Sequence, residues 1–302
     1  MGSQRPEDPR LHRIGDDRRV RQRESAVLPP SRALDSSRWV LYTFIVIFRA
    51  VAFDIDGTLY PSLGLYFRNL GFGFRNYRML RAFAKVRYEL HQRSMDPASE
   101  PGMPSDLAGF RALQARILAD GTGLAFEEAF AWAERTMYGE LEASFHDVRL
   151  FRGVRATLDA FAGAGLRLAA LSDFPAPRKL EILGIRDYFE VAMSSEETGF
   201  LKPAARPFLT LAERLGVAPE ELCYVGNSSR LDVAGAKGVG MGSALRGSSG
   251  FLKGRREPYA PKEFNSLREI APDLAFTDWR DLVNYILPET APVGRVLGVS
   301  GA

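Results

Sequence analysis

The segment Val51-Ala-Phe-Asp-Ile-Asp-Gly-Thr-Leu59 joins a short apolar run to two aspartates, Asp54 and Asp56, which are separated by one residue and followed by Gly-Thr. A buried strand that loosens into a glycine turn can aim two such carboxylates at one point. Two acids at one point could act as a nucleophile, as a proton shuttle and as ligands of a divalent metal. For this segment alone, an Asp-rich turn without any chemistry is the simpler alternative.

Three later segments repeat the pattern of polar residues beside the end of an apolar run. They are Leu166–Leu171 followed by Ser172 and Asp173, Lys202 ahead of the helical pattern 204–215, and Leu222–Gly226 followed by Asn227 and Asp232. Strands that alternate with helices form parallel sheets, and ligands bind such sheets at the carboxyl ends of the strands. We therefore predict an α/β fold, a three-layer Rossmann-like domain with a mostly parallel sheet, and a site at that edge.

The stretch between Asp56 and Ser172 is far longer than a strand–helix connection requires. Helical periodicity covers Tyr77–Arg93, Leu107–Ala119 and Phe126–Phe145. We predict an inserted α-helical cap over residues 65–147. The catalytic core then consists of residues 46–64 and 148–288.

The chain resembles the haloacid dehalogenase-type hydrolase superfamily at that superfamily's four motifs, which occur here in the same order. The matching segments are Asp54-x-Asp56-Gly-Thr, Ser172, Lys202 and Gly226–Asp232. Most members are magnesium-dependent phosphatases, and members carry a cap after the first motif. The resemblance implies that Asp54 is the nucleophile and Asp56 the general acid and base. It gives Ser172 a hydrogen bond to the transferring group, and it implies Mg²⁺ held by Asp54, Asp56, Asn227 and Asp232.

Electrostatic repulsion between a phosphate and a carboxylate gives a second reason to expect cations at the site. A phosphate monoester carries about two negative charges near neutral pH, so it repels an approaching carboxylate. Magnesium prefers oxygen ligands and would offset part of this charge. Lys202 would supply a fixed positive charge beside the transferring group.

Asn227 departs from the family pattern, which usually has an aspartate at this position. Asparagine keeps a carbonyl oxygen that can bind magnesium, but it lacks the negative charge. The substitution is either a tolerated ligand exchange with weaker metal binding or the mark of a decayed site in a binding protein. The presence of the other motif residues favours the first interpretation.

The predicted function is magnesium-dependent hydrolysis of a small phosphomonoester through an aspartyl-phosphate. A sugar phosphomutase, which would use the same motifs, is one alternative, and a catalytically weakened phospholigand-binding protein is another. A haloacid dehalogenase is disfavoured, because its chemistry has no alcohol leaving group that needs Asp56 as an acid.

The chain has 302 residues and a net charge of +3. Its hydrophobic content of 46% indicates a globular protein. Residues 1–38 hold nine arginines and six acids, a surplus of three, so residues 39–302 are balanced at 31 against 31. A basic N-terminal segment on an otherwise neutral chain is weak support for a polyanion partner.

We expect a small phosphorylated metabolite as the partner, and neither nucleic acid nor a membrane. No sequence feature specifies an oligomeric state.

The single cysteine, Cys223, allows no disulfide within the chain, and we therefore expect a cytoplasmic location.

Residues 1–45 are rich in Arg, Asp, Ser and Pro and show no apolar periodicity. This composition predicts either a disordered extension or a translation start assigned too early, with Val46 as the alternative start. The run Trp39–Phe48 is too short for a membrane span. Residues 289–302 are predicted to form a flexible tail.

Overall fold

The computed structural model describes residues 48–62, 70–140, 145, 148–247 and 270–288. They all belong to the second of the two compact units of the chain, residues 45–302. The predicted N-terminal extension and C-terminal tail lie outside the described residues, as do the predicted cap boundaries near residues 65 and 147.

The described residues contain one six-stranded sheet in which every neighbouring pair is parallel, in the order β3-β2-β1-β4-β5-β6. The strands are β1 (Ala50–Phe53), β2 (Arg167–Ser172), β3 (Val191–Ser194), β4 (Leu222–Gly226), β5 (Gly242–Arg246) and β6 (Leu274–Phe276). Ala52 in the centre pairs with Ala169 of β2 and Tyr224 of β4. The apolar runs of the sequence predicted β1, β2 and β4, whereas β3 was missed because its four residues are too few to show a pattern.

The core helices cover both faces of the sheet, which explains why its central strands are continuous apolar runs. The helices are α4 (Val154–Gly163), α5 (Pro177–Ile182), α6 (Ala205–Leu215), α7 (Ala234–Gly238) and α8 (Trp279–Ile286). Alternate side chains of β1 enter different clusters. Val51 and Phe53 pack with residues of α4, α5 and α8, whereas Ala50 and Ala52 pack with residues of α6 and α7. The three-layer α/β fold is confirmed.

The helical insertion comprises α1 (Leu70–Met95), α2 (Leu107–Thr122) and α3 (Phe126–Trp132). Its buried residues form a separate hydrophobic cluster that also includes Leu201 of the core. The helix predicted over Phe126–Phe145 is α-helical only as far as Trp132, and residues 141–144 lie outside the described residues. Residues Ala133–Glu140 form a π-helical continuation, and Phe145 lies in a turn. The wider turns bury three consecutive residues, 136–138, which an α-helical periodicity does not anticipate.

The insertion is tied to the core by a buried ion pair between Arg87 of α1 and Glu196, which lies in the turn after β3. Arg87 also donates to the carbonyl oxygen of Asp173 at 2.7 Å, and its guanidinium lies 4.4 Å from the centre of the Phe174 ring. The hydroxyl of Tyr138 donates to Glu196 at 3.0 Å. Burial raises the pKa of Glu196, although Arg87 and Tyr138 both favour its ionised form. The role of the insertion as a cap stays a prediction.

Gly199 is another point of close contact between the insertion and the core. Its φ of +79° lies in the left-handed region, and an added Cβ would collide with the backbone carbonyl of Pro104. Only glycine allows both the conformation and the contact without rearrangement. Among the described residues, no helix is long and apolar enough to cross a membrane.

We predict that Arg87→Met lowers the free energy of unfolding by about 3 kcal/mol, because it leaves the Glu196 carboxylate buried without its main cation. Arg93→Met is the matched control on the same helix. Arg93 pairs with Glu89 at the surface, and this variant should lose less than about 0.5 kcal/mol. Urea unfolding of both variants measures the difference.

The double variant Arg87→Met/Glu196→Gln should be more stable than the sum of its single changes predicts. Equal stability of Arg87→Met and Arg93→Met would show that the buried pair does not hold the insertion in place.

Candidate active site

The polar residues singled out in the sequence come together at the carboxyl edge of the sheet. Asp54 and Asp56 follow β1, Ser172 ends β2, and the loop after β4 carries Asn227 and Asp232. Lys202 lies in the segment between β3 and α6 and reaches the same place. All six predicted site residues therefore belong to one connected network, because parallel strands end at a common edge.

Lys202 lies at the centre of this network. Its ammonium lies 2.8 Å from Asp54 Oδ1 and 2.7 Å from Asp232 Oδ1, and it donates to the Tyr224 hydroxyl at 3.3 Å. Burial alone lowers the pKa of a lysine, but the charges of Asp232 and Asp54 raise the pKa of Lys202 well above its usual value. Lys202 is therefore a permanent cation in a buried position.

Asp54 is buried and has a second hydrogen bond, from Thr58 Oγ1 to its Oδ2 at 2.8 Å. Burial raises the pKa of Asp54 to about 7; Lys202 opposes this effect, whereas the neighbouring charges of Asp232 and Asp56 add to it. The raised pKa shows that burial and the neighbouring acids together outweigh the effect of Lys202, which favours the ionised form.

Asp56 is held by a different set of donors. Its Oδ2 accepts from Ser172 Oγ at 3.0 Å and pairs with Lys179 Nζ at 2.5 Å, and its Oδ1 accepts from the Tyr60 hydroxyl. Burial raises the pKa of a carboxyl, but the charge of Lys179 and the hydrogen bonds lower the pKa of Asp56 below its usual value. The side chain of Asp56 is 32% exposed and that of Asp54 is 7% exposed, so the site opens towards Asp56.

Asp232 holds the loop after β4 in place. Its Oδ2 accepts from the backbone N–H groups of Asn227 at 3.0 Å and Ser228 at 2.9 Å. The Asn227 amide lies beside the first motif, with Nδ2 3.4 Å from the carbonyl oxygen of Asp56. An added Cβ on Gly57, whose φ is +85°, would collide with that amide. Gly57 thus permits the close approach of the two loops.

The groups present fit a hard cation that prefers oxygen ligands. Candidate oxygen ligands are the carboxylate of Asp54 and the carbonyl oxygen of Asp56, which lies 3.4 Å from the side-chain nitrogen of Asn227. Within the described part of the chain, no group of three or more acidic, histidine or cysteine side chains is arranged to bind a metal by itself. Asp54 and Asp232 share the single positive charge of Lys202, and a bound cation would offset the excess negative charge.

The sequence did not identify several residues that complete the network. Lys179 pairs with Asp56, and Asp173 accepts from the backbone N–H of Lys202 at 3.2 Å and from Ser195 Oγ at 2.5 Å. His91 of α1 donates from Nδ1 to the carbonyl oxygen of Lys202 at 2.8 Å. Asp173 could have been suspected because it directly follows Ser172. Lys179 and His91 carry no sequence signal, because their partners are distant in the chain.

The comparisons with known proteins agree with this geometry. A family model described as haloacid dehalogenase-like hydrolase matches residues 48–240. A phosphoglycolate phosphatase of Salmonella typhi is 30% identical over 252 residues, which cover 78% of this chain and 91% of that protein. A glyceraldehyde 3-phosphate phosphatase of Methanopyrus kandleri is 29% identical over 210 residues, which cover 64% of this chain and 81% of that protein.

A solved structure, the L-2-haloacid dehalogenase from Xanthobacter autotrophicus, superposes with a TM-score of 0.53 at 20% identity and covers 80% of this chain and 99% of its own. At this identity the likeness concerns the fold alone. The family match covers most of the chain and includes all the motif residues. The chain belongs to the haloacid dehalogenase-like hydrolases.

Proposed function

We propose that this protein hydrolyses a small phosphomonoester in a magnesium-dependent reaction through an aspartyl-phosphate on Asp54. The observation that carries the proposal is the position of Lys202 Nζ between Asp54 and Asp232, because it places a permanent cation beside the nucleophile. The relatives named as phosphatases support the same reaction class. Asp56 favours it over dehalogenation, which has no alcohol to protonate.

In the first step an oxygen of Asp54 attacks phosphorus and forms a new P–O bond. The bond between phosphorus and the ester oxygen breaks, and its electron pair goes to that oxygen, which takes a proton from the Asp56 carboxyl group. Lys202 offsets the charge that repels Asp54 from the phosphoryl group. The Ser172 hydroxyl, 3.0 Å from Asp56, is placed to donate to a phosphoryl oxygen.

In the second step water attacks the phosphorus of the aspartyl-phosphate. Asp56, now a carboxylate, accepts a proton from this water, and the electron pair of the P–O bond returns to Asp54. Inorganic phosphate and the free Asp54 carboxylate result, so both residues regain their starting forms. A magnesium ion held by Asp54, Asp56, Asn227 and Asp232 would neutralise phosphoryl charge.

We further propose that the helical insertion acts as a cap that limits substrates to small metabolites. On its α1, Arg87 donates to the carbonyl oxygen of Asp173, next to Ser172, and His91 donates to the carbonyl oxygen of Lys202. A cap at this position would limit the access of bulk water to the site. The proposed location is the cytoplasm, on the basis of the single cysteine.

Phosphate release from a panel of phosphorylated metabolites, with magnesium and with a chelator in its place, tests the proposal. We expect release from at least one small phosphomonoester in magnesium alone. Transfer of the phosphoryl group to another position of the substrate, without release, would instead indicate a mutase.

We predict that Asp54→Asn abolishes turnover, by at least about a thousandfold, because an amide is nearly non-nucleophilic. Asp56→Asn should also stop steady-state turnover, yet it should accumulate an acid-stable, base-labile phosphoenzyme, since hydrolysis of the intermediate loses its base. Rapid acid quenching followed by mass spectrometry of the intact chain measures the added phosphoryl group. Phosphoenzyme in Asp54→Asn would place the nucleophile elsewhere.

We predict that Asn227→Asp lowers the magnesium concentration for half-maximal activity by roughly fivefold, because it adds a negative charge beside a divalent cation. Magnesium-dependent thermal stabilisation of the two proteins gives a second measure of affinity that does not require turnover. Ser229→Asp, two residues along the same loop, is the control for a general charge effect. Superimposable magnesium curves for the parent and Asn227→Asp would exclude residue 227 from the metal site.

A further inference from the structure

Lys202 is held by a third buried group besides its two carboxylates. Its ammonium donates to the hydroxyl of Tyr224 on β4 at 3.3 Å, in addition to its contacts with Asp54 and Asp232. An ammonium has three N–H donors, and these three acceptors match them. The mechanism proposed above uses both carboxylates and leaves Tyr224 without a role.

The hydroxyl of Tyr224 presents a lone pair to Lys202. A tyrosine hydroxyl carries one proton, and Tyr224 donates it to the backbone carbonyl oxygen of Leu171 on β2 at 2.8 Å. The Lys202 nitrogen lies 3.3 Å from the hydroxyl oxygen but 5.7 Å from the centre of the ring, so the ammonium contacts the oxygen rather than the aromatic face. Tyr224 is therefore an acceptor for Lys202 whose proton is already placed elsewhere.

The packing around Tyr224 fixes the position of its ring. The ring is buried, and Phe208 of α6 meets it edge-on with the ring centres 5.0 Å apart. Because β1 lies between β4 and β2, the phenol must reach across β1 to bond Leu171. The residue of β1 that pairs with Tyr224 is Ala52, whose methyl side chain leaves room for the ring. The sheet itself thus sets the place of the hydroxyl.

A third acceptor fixes the Lys202 ammonium in a way that two carboxylates do not. A lysine has a flexible four-carbon stem and a rotating ammonium. Two acceptors alone leave the nitrogen free to move along an arc around the line that joins them, and a third removes this freedom. Asp173 and His91 hold only the backbone of Lys202, whereas Tyr224 acts on the charged end of the side chain.

We propose that Tyr224 is a positioning residue that fixes Lys202 Nζ between Asp54 and Asp232 and acts on the reaction through that lysine. The proposal rests on the phosphatase function proposed above. Loss of the hydroxyl leaves one N–H of a buried ammonium without its acceptor. The ammonium then spends less time where it offsets the repulsion between Asp54 and the phosphoryl group.

Single-turnover kinetics with p-nitrophenyl phosphate tests the effect on the chemical step. The full-length protein, in magnesium and in excess over the ester, is compared with Tyr224→Phe, which removes only the hydroxyl. The absorbance of p-nitrophenolate gives the rate constant at saturating enzyme. An unfolded fraction lowers the amount of active enzyme but leaves this rate constant unchanged, so the measurement separates positioning from stability.

We expect Tyr224→Phe to lower the saturating rate constant about tenfold, the effect of one hydrogen bond to a charged group. Tyr188→Phe is the matched control. Tyr188 donates its hydroxyl proton to Asp159 at the surface, and the control should keep the rate constant of the unmodified protein.

A double-mutant cycle tests whether Tyr224 acts through Lys202. Urea unfolding is measured for the unmodified protein, Tyr224→Phe, Lys202→Met and the double variant. The loss of stability caused by Tyr224→Phe should be smaller in the Lys202→Met background, because one of the two bonds of the hydroxyl is already absent there. Equal losses in both backgrounds would mean that the hydroxyl contributes only its bond to Leu171, and would overturn the inference.

An unchanged saturating rate constant in Tyr224→Phe would also overturn the inference, while turnover by the unmodified protein would still support the phosphatase function. Failure of the unmodified protein to release p-nitrophenolate would reject that function, and the inference with it.

Discussion

The Lys202 ammonium, 2.8 Å from Asp54 and 2.7 Å from Asp232, is the interaction on which the site depends. A parallel sheet brings acidic residues from β1 and β4 to one edge, where their mutual repulsion and burial disfavour ionisation. Lys202 offsets part of this repulsion, but its single positive charge faces two carboxylates. The remaining negative charge is the physical reason for expecting a divalent cation.

The surrounding contacts hold Lys202 in that position and link it to the helical insertion. Asp173 accepts from the Lys202 backbone, and His91 of α1 donates to its carbonyl oxygen. Arg87, one turn earlier on α1, reaches both the carbonyl oxygen of Asp173 and the carboxylate of Glu196. The insertion therefore contacts the segments that position Lys202, so a movement of the insertion would act on the site through backbone contacts.

The sequence predicted the parts of this arrangement that local patterns encode. The apolar run before Asp54 predicted β1, and the runs before Ser172 and Asn227 predicted β2 and β4. It failed for β3, which is short, and for the π-helical segment Ala133–Glu140, where burial does not follow the α-helical period. Glu196 and Lys179 were missed because a lone charged residue predicts solvent exposure, and only a distant partner makes its burial favourable.

The sequence by itself determined the fold class, the order of the motifs and the residues that meet at the sheet edge, because strand patterns are local and parallel strands share one catalytic edge. Only the tertiary structure decided which cation serves which carboxylate. Lys179 meets Asp56 across 123 positions and Arg87 meets Glu196 across 109. Such pairings depend on how the helices cross the sheet and on how far burial excludes water from the side chains. Neither property is encoded in a local stretch of the chain.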